Sequence, residues 1–253
     1  MEVAIGAALV GILGYVVWHD SIDKEDAAEG LGPRKRLCDY YVTGGVFENA
    51  KIVVESGRRL LEVHLYADEN GKPVVAKNPL NLGYDYAYDY WTFDSICVDL
   101  LQAWQSTDEP FILSIVPHST SNVTLNLAAD CLKTTVRRHL VQGVDVDTPL
   151  DDLKNRLIVV SDNVQGSELG PLVNLSWGES KLRRLLYGQA MHPRDQTELV
   201  AFNRSAITLV APDPTFGKAT LDPAIAFAYG CQWLLFSSSR AAPGFVEKPA
   251  GLQ

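Results

Sequence analysis

Residues 110–119 read PFILSIVPHS. Five of the first seven are apolar, and the run then breaks at Pro117, His118 and Ser119. A short apolar run closed by a breaker reads as a buried strand, here one that delivers a polar side chain to an open edge. Similar runs recur on both sides: RLCDYYV (36–42), RLLEVHLY (59–66), KPVVAK (72–77), RLIVVSD (156–162), AITLVAP (206–212) and CQWLLFS (231–237). Between them, Phe93 to Gln105 places Ile96, Leu100, Leu101 and Trp104 on one side of a helix. Ser121 to Leu140 reads as a second helix, and Ser180 to Gln189 and Thr197 to Asn203 as shorter ones. This alternation favours an α/β chain with a parallel sheet or a (β/α)8 TIM-type barrel, regular or distorted. No internal repeat is visible, and the tyrosine-rich GYDYAYDYW (83–91) reads as an aromatic surface loop.

Composition narrows the function. The chain has 253 residues, 47% hydrophobic and 21% charged, enough to bury a large core. A net charge of −9 and the lack of a basic stripe exclude a nucleic-acid backbone as partner. Cys38, Cys97, Cys131 and Cys231 are scattered without metal spacing, as free thiols in a reducing compartment would be.

The N-terminus differs in kind. Val3 to Trp18, VAIGAALVGILGYVVW, carries no charge. As a helix it spans about 24 Å, close to a bilayer core. No basic residue precedes it and no small-residue cleavage site follows, which argues against a signal peptide; a buried helix of the globular domain is the lesser alternative, and a membrane anchor the preferred reading. The basic PRKR (33–36) after an acidic linker places the folded domain on the cytoplasmic side. Ala4, Ala7, Gly11 and Gly14 give the helix a small-residue face for packing on another helix. Sequons at Asn122, Asn174 and Asn203 argue weakly for the opposite topology. The expected organisation is an anchor (1–19), a linker (20–35) and a barrel domain (36–253).

A barrel carries its chemistry where its strands end. The polar residues near such positions are Cys38, Asp39, Glu62, His64, Lys77, His118 and Asp162. Glu62 and His64 are two apart on a strand and point to one face, so inside a barrel their charge needs a partner.

The order of these segments resembles the catalytic barrel of phosphoinositide-specific phospholipase C of eukaryotic type. GRRLLEVH (57–64) is similar to that family's G-x-R-x-x-E-x-D strand, and AWQSTDEPFILSIVPH (103–118) to its A-F-x-x-S-x-x-P-x-I-L-S-x-E-x-H segment. TPLDDLKNRLIVV (148–160), DPAIAFAYGCQWLLF (222–236) and GFVEKP (244–249) resemble its later motifs, so the likeness runs from about Arg36 to Pro249.

The resemblance implies a site that has lost its chemistry. Matching the family's S-H-N-T-Y-L-T-G to CDYYVTG (38–44) puts Cys38 at the first histidine and Asp39 at a metal-binding asparagine. The calcium-ligand pair E-x-D falls on Glu62 and His64, the second histidine on Lys77, and the last calcium acid on Val116, with His118 at the trailing histidine. Valine supplies no oxygen, and imidazole suits metals other than calcium. Lys77 and Cys38 are poor replacements for histidines poised near neutral pH. Ion pairs of Glu62 with His64, and of Asp39 with Lys77, are expected in place of the metal. In the loop 211–223 a single cation, Lys218, stands where the family grips inositol phosphates.

The expectation is therefore a catalytically inactive, membrane-tethered barrel with no metal, cofactor or small-molecule substrate, serving as a scaffold in a larger protein assembly. One setting that fits is the layer between an internal membrane and the shell of a large virus particle, as a minor capsid or virion membrane component. Two other readings stay open: a module that binds a lipid headgroup or phosphoester without turnover, and an active phosphodiesterase with altered chemistry.

Overall fold

The computed structural model describes residues 34–78, 87–104, 107–213, 222–237 and 242–249. Seven strands run parallel: β1 (Tyr40–Val46), β2 (Leu60–Ala67), β5 (Phe111–Pro117), β6 (Leu157–Ser161), β7 (Leu182–Leu186), β8 (Ile207–Ala211) and β9 (Trp233–Phe236). In space they lie in the order β6, β5, β2, β1, β9, β8, β7. Two short strands, β3 (Pro73–Ala76) and β4 (Tyr90–Thr92), extend the sheet antiparallel from the upper part of β2. A last one, β10 (Phe245–Glu247), runs antiparallel along the start of β1.

The sheet is curled. Glu62 on β2 and Arg184 on β7 touch at 2.7 Å, although β1, β9 and β8 lie between them in the ladder. Only a sheet rolled toward that face brings them together. The rolled interior is apolar at its base, where Val42, Leu60, Ile112, Ile158, Leu182, Ile207, Leu209 and Trp233 pack as one cluster. Alternate residues of the same strands point outward under helices: Leu61, Val63, Leu113, Ile115 and Val159 form a second core with helices on the β2–β5–β6 side.

Those helices follow their sequences. In α1 (Ala50–Glu55), Asn49 accepts a hydrogen bond from the Lys51 amide and caps the start. In α2 (Phe93–Trp104), Phe93, Ile96, Cys97, Leu100 and Trp104 make the buried stripe. In α3 (Asn122–Thr135), Leu125, Ala128, Ala129 and Leu132 do the same. On the opposite side α4 (Tyr187–Met191), α5 (Gln196–Phe202) and α6 (Pro223–Ala228) pack on Val210 and Leu234.

Four expectations need correction. The eighth parallel strand is missing among the described residues: β6 gains a single parallel bridge, Val160 to Leu175, and no ladder joins β6 to β7. Gly166, Gly170 and Pro171 interrupt the chain where that strand would form. Ser180 to Gln189 is not one helix, because its first half is β7. Leu182, Leu185 and Leu186 mimic helical spacing, but tertiary pairing with β8 fixes the segment as extended. The first strand is Tyr40–Val46 and not 36–42; residues 37–39 form a 3-10 turn below it. The helix expected to reach Leu140 stops at Thr135, and Leu140 then bridges to Leu157. The apolar run 3–18, and most of the tyrosine-rich stretch, lie outside the described residues. Among those described, no helix is long and apolar enough to cross a membrane.

Candidate functional site

Glu62 and His64 project from β2 into the rolled interior, level with Ser114 and Val116 of β5. From β7, on the far side of the barrel, Arg184 reaches across and forks onto the carboxylate, its NH2 group 2.7 Å from Oε1 and its Nε 3.2 Å from Oε2. Ser114 Oγ donates to Oε2 at 3.2 Å, and His64 Nε2 lies 3.4 Å from Oε1. The carboxylate is fully enclosed, while the Arg184 side chain keeps 20% exposure toward the mouth. Burial by itself pushes Glu62 up; the Arg184 guanidinium and the His64 hydrogen bond more than reverse this and bring it to about 2. Glu62 is therefore an ionised, saturated acceptor. It is not a base in waiting.

A second layer sits above. His64 Nδ1 and His118 Nε2 are 2.9 Å apart. The Phe47 ring stacks on His64 at 4.8 Å and 12°, and the Tyr66 ring on His118 at 4.3 Å and 3°. Phe47 holds its ring there from a left-handed backbone, φ 58°, an unusual conformation for a bulky side chain. Burial lowers His118 to about 4, with neighbouring His64 and the Arg184 guanidinium acting in the same direction. Arg184 also lies 6.0 Å from the Trp177 ring.

The other candidate residues lie elsewhere. Cys38 and Asp39 precede β1, at the opposite end of the barrel from Glu62. Asp39 is held by Arg36, whose NH2 group is 2.9 Å away, and not by Lys77. Burial raises the Cys38 thiol to about 11, leaving it protonated and inert. Lys77 pairs with Asp89 at 2.9 Å and lies 5.4 Å from the Trp91 ring centroid, so its amine is engaged by those two side chains. Asp162, at the end of β6, accepts from Ser176 and from the Asn163 amide. The residues at the far end of β1, level with Glu62, are Val46 and Phe47. Lys218 lies outside the described residues.

Calcium does not fit this site. It takes six to eight oxygens from carboxylates, carbonyls and water. Here the one carboxylate is bound by a guanidinium, Val116 presents methyl groups, and His64 offers nitrogen. Among the described residues no group of three or more His, Cys, Asp or Glu side chains is arranged to hold a metal.

Arg184 was not among the residues expected from sequence, nor were Ser114, Phe47 and Tyr66. The signal for Arg184 was the pair of arginines inside LRRLL, a run otherwise apolar. On a strand they must face opposite ways. Arg183 turns outward to Glu198 at 2.7 Å and over the Phe202 ring at 3.9 Å, which leaves Arg184 inside.

No family model matches the sequence, and no curated protein matches it. Solved structures do. Superposition on S. officinalis PLC21 gives a TM-score of 0.69 at 16% identity, covering 88% of this chain. L. pealei PLC21 gives 0.68 at 15%. The chain spans 38% of the length of either protein. A calcium-dependent phosphoinositol-specific phospholipase C from a Gram-negative Pseudomonas gives 0.52 at 12%, covering 86% of this chain and 94% of that one. At such identities the likeness concerns the path of the backbone. The chain thus carries the barrel fold of the phosphoinositide-specific phospholipase C catalytic domain.

Proposed function

We propose that this protein is a non-catalytic phospholipase-C-like barrel, tethered to a membrane by residues 3–18 on the cytoplasmic side and acting as a scaffold in a larger assembly. The observation that carries the reading is the Arg184 fork on Glu62. A fixed guanidinium takes the place of charge compensation that an exchangeable cation would otherwise supply, and it also occupies the carboxylate. Phosphodiester cleavage needs a base for the attacking hydroxyl and an acid for the leaving oxygen, each poised near neutral pH. Val46 and Phe47, at the end of β1 beside Glu62, can play neither part, and His118, lowered to about 4, is engaged with His64.

The test is turnover. The full chain is incubated with phosphatidylinositol vesicles, with and without calcium, and released inositol phosphate is counted against a heat-treated control. No release above that control is expected. Calcium-dependent release that vanishes in Glu62→Gln would overturn the proposal.

A further inference from the structure

We propose that the facing edges of His64 and His118 form a transition-metal site, taking a borderline divalent cation such as zinc(II) or copper(II) between His64 Nδ1 and His118 Nε2. This departs from the metal-free expectation raised by the sequence. It does not depend on whether the barrel turns over lipid.

The geometry carries it. The two nitrogens are 2.9 Å apart, aimed at one another. Two imidazoles on a tetrahedral zinc at about 2.05 Å place their nitrogens roughly 3.3 Å apart, so the edges open by a few tenths of an ångström and each ring tilts until its lone pair leaves the line between them and points at the ion. Each ring is stacked on an aromatic neighbour, His64 on Phe47 and His118 on Tyr66, and the two edges face one another. Glu62 Oε1 takes up the other nitrogen of His64 at 3.4 Å. That contact puts the proton on Nε2 and leaves the Nδ1 lone pair facing His118, the carboxylate–histidine arrangement found behind metal-bound imidazoles.

Without a cation, the His118 Nε2 proton fills the gap between the rings. On binding, that proton leaves Nε2 while Nδ1 of the same ring takes one from solvent; the ring stays neutral and no redox step is involved. No third His, Cys, Asp or Glu joins the pair among the described residues, so the remaining coordination positions fall to water or to an external ligand entering at the partly exposed His118. Two nitrogen donors select zinc or copper over calcium and magnesium.

The experiment titrates the full chain with zinc(II) in a calorimeter and with copper(II) under electron paramagnetic resonance. The variants are His64→Phe and His118→Phe, which keep a ring in each stack and remove its nitrogens, with His139→Ala and His192→Ala as references. One saturable equivalent, a copper spectrum split by two nitrogens, and at least about tenfold weaker binding in each phenylalanine variant are expected. The reference variants should bind as the unaltered chain does. Absence of saturable binding, or binding that survives in both phenylalanine variants, would overturn the proposal. Melting curves verify folding, and if His64→Phe is unfolded, His118→Phe decides alone.

Discussion

At Glu62 the fate of the site depends on one partner. Breaking a buried ion pair from one side leaves an uncompensated charge and costs on the order of 3–5 kcal/mol, whereas replacing both members with apolar residues is often neutral. Arg184→Met should therefore lower the urea midpoint strongly, and Glu62→Leu with Arg184→Met should recover most of the loss; a double-mutant cycle measures the coupling. Additive losses would mean that the fork contributes little. Acid titration provides an independent reading. Glu62 falls from 4.5 to about 2 on folding, so its contribution, on the order of 3 kcal/mol, is full above 4.5 and is lost as pH falls toward 2. His118 falls from 6.5 to about 4, so the native state resists its protonation, and stability should begin to decline just below pH 6.5. Chemical denaturation at stepped pH should show both windows, with the upper one absent in His118→Phe.

Among the elements, β1 leaves little room for added side chains. It carries neighbours on both sides, and Gly44 faces Leu60 of β2 so closely that an added Cβ would sit 2.5 Å from the Leu60 carbonyl oxygen and 2.7 Å from its Cβ. Backbone cannot yield as a flexible side chain tip can. Gly44→Ala should cost on the order of 1–3 kcal/mol by overpacking, read as a lowered denaturation midpoint. Gly71→Ala is the comparison, because a Cβ there meets nothing within 4 Å and the penalty comes from its positive φ of 76° alone. The β7 element explains the misread segment: local leucine spacing favours a helix, and the ladder to β8 prevails. That choice is what turns Arg184 inward.

For the whole molecule, the anchor proposal is tested by truncation. A chain starting at Gly32 should stay folded in plain buffer and leave the membrane fraction, while the full chain should resist carbonate extraction. A full-length chain that remains monomeric in buffer without detergent would remove the tether and weaken the scaffold proposal. Restoration also belongs at this scale. Cys38→His cannot rebuild the acid–base pair, since Cys38 lies at the wrong end of the barrel; Val46→His, His64→Asp, Lys77→His and Val116→Glu, with Arg184→Met to free Glu62, form the set whose calcium binding is worth measuring by calorimetry. Any gain should depend on the Arg184 replacement.

The sequence by itself determined the strands β2, β3, β5, β6, β8 and β9, the helices α2 and α5, the placing of Glu62, His64 and Val116 along their strands, and that of His118 just past the end of β5. It could do so because runs of buried β-branched and leucine residues, and period-2 alternation, are local properties of the chain. What encloses Glu62 is not local. Arg184 is separated from it by 122 residues and by three strands of the ladder, and becomes its partner only because the sheet rolls. The same closure set Cys38 and Asp39 at the far end, since a shift in where β1 starts changes which residues reach the rim. Tertiary structure alone decided that a carboxylate left on a strand is answered by a guanidinium from across the barrel, because burying that charge required a counter-charge and folding brought this one within reach.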